Sequence, residues 1–204
     1  MTIDKKKEKI RKEIWDEIYK NKQTYRENGD YGKIPDFKGK TEASQKLRET
    51  TEYKNAKTIF VSPDSAQTPI RYNTIIDNKT LIIASPNLKK DYIILNKTAK
   101  NNPQEASDKN KAIKYGIQTK KLPPVDMIVE GSVGVDLKGH RIGKGKGYGD
   151  REINELIKQK CITKKTPIIT TIHPLQIKEE IPHEPHDKNV NMIITPKNKI
   201  YTKI

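Results

Sequence analysis

Cysteine is almost absent from the 204-residue chain: the single thiol, Cys161, excludes an intrachain disulfide and any multi-cysteine zinc site. It falls at the end of a predicted helix with no base beside it, which argues against a catalytic thiolate. Long hydrophobic runs are missing too. Only 32% of residues are apolar and mean hydropathy is −0.89. No stretch approaches the roughly 20 apolar residues of a membrane span. Residues 1–6, Met-Thr-Ile-Asp-Lys-Lys, run into charge where a signal peptide would place an apolar segment, so a cytoplasmic protein without membrane association is expected. Aromatics are sparse, with nine Tyr, two Phe and one Trp, and leave no visible stacking platform for RNA bases. Arginine is scarce: six of 41 basic residues, so the net charge of +15 comes mainly from Lys dispersed among 26 acidic residues. Such a surplus draws anions through the long-range field but lacks the bidentate groups of specific readout; no specific nucleic-acid partner is expected.

What is present is a rhythm of short apolar blocks. Ile10, Ile14, Trp15, Ile18 and Tyr19 share one stripe of a helix predicted over residues 4–22. Residues 23–40 hold Gly and Pro without periodicity and read as a long loop, followed by a helix over 41–53. Strands are predicted at 58–61, 81–84, 92–95, 127–129, 168–172 and 192–195, and further helices at 70–76, 103–115 and 150–160. The alternation predicts an α/β fold: a three-layer sandwich with a mostly parallel central sheet flanked by helices, its ligand cleft at the carboxyl ends of the strands. No repeat or linker interrupts it, so one domain over 1–204 is expected.

Gly143, Gly145, Gly147 and Gly149 occupy every second position, with Lys144, Lys146 and Tyr148 between them, directly after a predicted strand and before a predicted helix. Glycines let the backbone approach a phosphate, the lysines supply charge, and the helix N-terminus adds its positive dipole end. The run matches neither the P-loop nor the dinucleotide fingerprint, and a flexible turn is the competing reading. His183 and His186 are spaced like a metal pair, but the intervening and flanking prolines forbid the helix that would align them, and further zinc ligands are not evident. His173, before Pro174, reads as a packed loop histidine. Asp150 and Asp187 suit a hard cation such as magnesium, against the competing roles of helix capping and turn formation.

The motifs Val125-Asp126-Met127-Ile128-Val129, Asp136-Leu137-Lys138-Gly139-His140-Arg141-Ile142-Gly143, Gly145-Lys146-Gly147-Tyr148 and Asp150 resemble the signature of 5-formyltetrahydrofolate cyclo-ligases. The likeness continues through Pro185-His186-Asp187, Ile193-Ile194-Thr195 and the N-terminal Lys7, Ile10, Arg11, Lys12. Pro63-Asp64, Gly131-Ser132-Val133 and residues 171–176 resemble the divergent branch of methenyltetrahydrofolate-synthetase-domain proteins. The resemblance implies an enzyme in which ATP, with Mg2+, phosphorylates the formyl oxygen of 5-formyltetrahydrofolate, after which ring closure gives the 5,10-methenyl form, ADP and phosphate. By that resemblance Lys7, Arg11, Arg141, Gly143, Lys144, Gly145, Lys146 and Gly147 bind ATP, with Lys146 and Arg141 catalytic. Tyr148 lines the folate pocket, and Asp150 and Asp187 hold the metal. Two departures stand out: Gly149 replaces a bulky residue, and no acid aligns cleanly with the family's pocket carboxylate near residues 62–68, where Asp64 or Gln67 stands in. The expected partner is a reduced folate or pterin, and the expected state a monomer or weak homodimer. A non-catalytic nucleotide- or RNA-binding protein that keeps the fold is the alternative.

Overall fold

The apolar stripe at the N-terminus folds as α1 (Ile3–Lys20), capped by Thr2, whose side chain accepts from the Lys5 N–H. Ile14, Trp15 and Ile18 are its buried apolar members, whereas Tyr19 lies exposed. The computed structural model describes residues 2–85 and 91–203; Met1 and Ile204, the ends of the expected domain, lie outside the described residues. After α1 come α2 (Lys40–Arg48), α3 (Thr51–Asn55), β1 (Thr58–Val61), α4 (Thr68–Ile76), β2 (Thr80–Ala84), β3 (Tyr92–Leu95) and α5 (Pro103–Ser107). Then follow β4 (Ile117–Thr119), β5 (Met127–Glu130), β6 (Gly134–Val135), β7 (Arg141–Ile142), α6 (Tyr148–Lys158), β8 (Ile168–Thr171), β9 (Met192–Ile194) and β10 (Lys199–Tyr201).

Two predicted helices are corrected. The helix expected over 41–53 is broken into α2 and α3, because the Thr50 hydroxyl donates to the Leu47 carbonyl and accepts from the Tyr53 N–H, restarting the chain in a new direction. The helix expected over 103–115 stops at Ser107: Asp108 turns extended, and its side chain accepts from the N–H groups of Asn110 and Lys111. Only a short 3-10 turn, Ala112–Lys114, follows.

Eight strands form one sheet in the order β10-β9-β8-β5-β1-β2-β3-β4. The run from β9 to β2 is parallel, while β3, β4 and β10 are antiparallel edges. Alternation along the strands divides the core. Ile59, Val61, Leu81, Ile83, Met127 and Val129 cluster with apolar residues of α1 to α4, and Phe60, Ile82 and Ile128 cluster with Ile153 and Leu156 of α6. Helices thus cover both faces. The chain steps from β1 to β2 on one side and later places β5 on the other, so the carboxyl ends of β1 and β5 form the topological switch point where open α/β sheets bind ligands. No helix among the described residues is long and apolar enough to cross a membrane.

Candidate active site

The glycine run does not follow the buried strand β5 directly; it leaves a small hairpin, β6–β7, in which Gly134 pairs with Ile142. Gly134 is needed there, since a Cβ would sit 2.5 Å from Ile14 Cδ1. Beyond β7 the chain turns through left-handed conformations at Gly145 (φ 90°) and Gly147 (φ 63°), the latter at the N-cap of α6. Its carbonyls are drawn away by arginines. Arg11 Nε donates to the Gly143 oxygen at 2.8 Å, Arg151 Nη2 to that of Lys146 at 2.6 Å, and Arg151 Nε to that of Gly147 at 3.1 Å. The backbone N–H groups of residues 144–147 meet no acceptor among the described residues. Tied carbonyls and free N–H groups beside a helix N-terminus make an anion cradle.

The cradle opens on a cleft of about 430 Å³ at the switch point. Its charges are paired wall to wall: Lys144 Nζ with Asp64 Oδ1 at 3.0 Å, Arg141 Nη2 with Asp150 Oδ1 at 2.7 Å, and Lys7 Nζ with Asp187 Oδ2 at 2.6 Å and Glu184 Oε2 at 3.2 Å. Burial pushes the Asp187 carboxyl upward, but hydrogen bonds from Lys7 and the Glu184 N–H, with the Lys7 charge, hold it below the usual carboxylate range. Lys7 feels the same contest: burial lowers it, and the two acids raise it further. Tyr148, half exposed, stands in the rim with Lys144 5.7 Å and Arg151 4.8 Å from its ring. Asp64 is carried on a loop braced by Arg71, which is wholly buried and donates to the carbonyls of Ser62 (2.7 Å), Asp64 (3.0 Å) and Ser107 (2.8 Å). Burial lowers its guanidinium to about 10.

Most of the expected site residues therefore meet in one cleft: Lys7, Arg11, Asp64, Arg141, Lys144, Lys146, Tyr148, Asp150 and Asp187. Gln67 does not. It is fully buried, accepting from the Ser62 hydroxyl and donating to Thr171 Oγ1 at 3.3 Å, outside the cleft lining. Asp150 does not cap α6, a place taken by Gly147; it accepts from Arg141 and from the Lys188 N–H. Among the described residues the set with ligand atoms within 4.8 Å of one another is Glu184, His186 and Asp187, so Asp187 has donors beside it that suit a hard divalent cation, and Asp150 is outside that set. The two histidines of the 183–186 pair part company: His183 stacks on His140 at 3.7 Å, and His140 Nδ1 lies 2.8 Å from buried Asp136. His173 is a packed loop residue, set edge-on to Phe37, and Cys161 is buried, its thiol donating to the Leu122 carbonyl at 3.3 Å.

The 5-formyltetrahydrofolate cyclo-ligase family model matches residues 3–196. The chain belongs to that family. Methenyltetrahydrofolate synthase domain-containing proteins of Bos taurus and Homo sapiens are 32% and 30% identical to it over 211 residues. These matches cover 96% of this chain but 54% and 53% of those proteins, so the chain spans about half their length. The NMR structure of Aquifex aeolicus 5,10-methenyltetrahydrofolate synthetase shares the fold with a TM-score of 0.61 at 20% identity, covering 97% of this chain and 93% of that one.

Two further acids line the cleft, and one glycine has a local reason, none of which stands out in the sequence alone. Glu130 ends β5, buried in the cleft floor; burial pushes it up to about 7, opposed by Arg141 and reinforced by Asp64 and Asp150. Glu152 on α6 lines the same cleft and is raised by burial, Glu130 and Asp64. An acid closing the apolar run 127–129 was the available signal. Gly149, where the cyclo-ligase signature has a bulky residue, leaves room for Arg141 and Glu130: a Cβ would fall 2.9 Å from both Arg141 Nη2 and Glu130 Oε2 and would have to push those side-chain ends aside.

Proposed function

We propose that the chain is an ATP- and Mg2+-dependent cyclo-ligase that closes 5-formyltetrahydrofolate, or a related reduced pterin, to the 5,10-methenyl form with release of ADP and phosphate. The observation that carries this reading is the 144–147 turn, whose N–H groups are free while Arg11 and Arg151 hold its carbonyls away. Bound ATP and Mg2+ would supply a phosphoryl group and charge compensation for it. In this reading the N–H groups, Lys144, Lys146 and Arg11 bind the phosphates, and Lys146 and Arg141 stabilise charge that develops during transfer. Asp187, with Glu184 beside it, offers carboxylate oxygens to the metal, and Asp150 orients Arg141. Tyr148 walls the folate side, and Asp64 positions Lys144. The protein would work in the cytoplasm as a monomer or weak homodimer of one domain. The test is an assay of purified protein with ATP, magnesium and 5-formyltetrahydrofolate, following the methenyl chromophore. ATP-dependent growth of that chromophore is the expected result; nucleotide binding without it would favour a non-catalytic binding protein.

A further inference from the structure

Glu130 is 2% exposed, lines the cleft, and leaves Oε1 without a hydrogen-bond partner among the described residues. Buried polar atoms are nearly always satisfied, so a carboxylate oxygen without a partner on a cleft-lining side chain marks a place for a donor brought by a ligand. The nearby cation does not fill it: Arg141 directs Nη2 to Asp150 at 2.7 Å, and its own Nε is also unpartnered. Two glycines keep the floor open. A Cβ at Gly149 would crowd Glu130 Oε2 at 2.9 Å, and one at Gly131 would crowd Asp64 Oδ2 at 2.8 Å. A metal does not suit this floor, because Asp64, Glu130 and Glu152 do not form a set of ligand atoms within 4.8 Å of one another.

We propose that Glu130 reads the ring of the ligand, accepting paired hydrogen bonds from adjacent N–H donors such as the 2-amino group and neighbouring ring N–H of a pterin. This rests on the reduced-pterin reading above and moves its recognition acid from the 62–68 loop to the end of β5. Planar paired donors to a carboxylate are strong and geometrically selective, and only the ionised acid can accept both. The charges that act on Glu130 are Asp64 and Asp150, which oppose its ionisation, and Arg141 and Lys144, which favour it; Glu152, on the same floor, is itself raised by Glu130. Burial sets the balance at about 7, so the ring displaces a proton as it enters and binds more tightly as pH rises from 6 to 8.

The test is calorimetry on the full chain with 6-methylpterin and 6-methyllumazine, which carries an oxygen in place of the 2-amino group. The native protein is expected to prefer the pterin by about 100-fold, since a site built for a donor rejects the analogue lacking it. Glu130→Gln is expected to lose both the preference and the rise between pH 6 and 8. A native protein without preference, or a Gln variant that keeps both, overturns the proposal. If the Gln variant does not fold, Asp64→Asn serves: loss of an acid that opposes Glu130's ionisation is expected to move the affinity midpoint to lower pH, and an unmoved midpoint overturns the proposal. Pterin preference without ATP-dependent methenyl formation would defeat the cyclo-ligase reading and leave the Glu130 assignment supported.

Discussion

Glu130 holds its proton more tightly in the folded chain, at about 7, than in the unfolded one, where a glutamate titrates near about 4.3. A raised carboxylate contributes stability that is complete below the unfolded value and lost as pH climbs to the folded one. Glu130→Gln is therefore expected to melt higher than the native protein at pH 8 and to match it near pH 4, a comparison made by thermal melts at the two pH values. Asp187 works with the opposite sign: its contribution is present above the unfolded value and lost as pH falls through the folded one. Lys146 is solvated and packs little, so Lys146→Ala is expected to weaken ATP binding by about 10-fold or more in calorimetry without shifting the melting temperature. The lysines of the turn were legible because a Gly/Lys alternation is local and chemical. Glu130 was not, because its character comes from burial, which depends on strands brought together from residues 58 to 171.

The helices and strands divide in the same way. The strands β1, β2, β3, β5, β8 and β9 are short blocks dominated by Ile, Val, Leu and Thr and could be read from composition, whereas β6 and β7 hold two residues each and β4 and β10 are edges without an apolar run. Boundaries set by one side chain, as at Thr50 and Asp108, were hidden under continuing helical composition. Arg71 shows how an element depends on such a residue. From α4 it fixes the 62–64 backbone at the carboxyl end of β1 and ties it to the end of α5. Arg71→Met keeps much of the volume but strands three buried or half-buried carbonyls, at about 1–3 kcal/mol for each unsatisfied group. A loss of about 3 kcal/mol or more is expected in denaturant titration, with faster amide exchange in residues 62–67.

At the scale of the molecule, a charge of +15 is spread along the chain, while in the cleft Lys7, Arg141 and Lys144 already face acids. Nucleic-acid binding is expected to be sequence-independent and to collapse between 50 and about 200 mM salt, as counterion release requires; filter binding across salt would show it. The α/β layering and the cleft's position followed from the strand-helix rhythm, while the meeting of both chain ends at one cleft corner rests on the distant pairing of Lys7 with Asp187. That ammonium already holds the Asp187 and Glu184 carboxylates that would serve a divalent ion in the proposed function. In the proposed function, loading would be an exchange of one cation for another, in which Lys7 leaves the carboxylates and meets the nucleotide's phosphates. Metal alone would displace the ammonium with nothing to receive it, so metal and nucleotide would tighten each other's binding by the same factor. With Lys7→Met the carboxylates stand open: titrations are expected to show magnesium binding the empty protein more tightly, and that mutual reinforcement reduced.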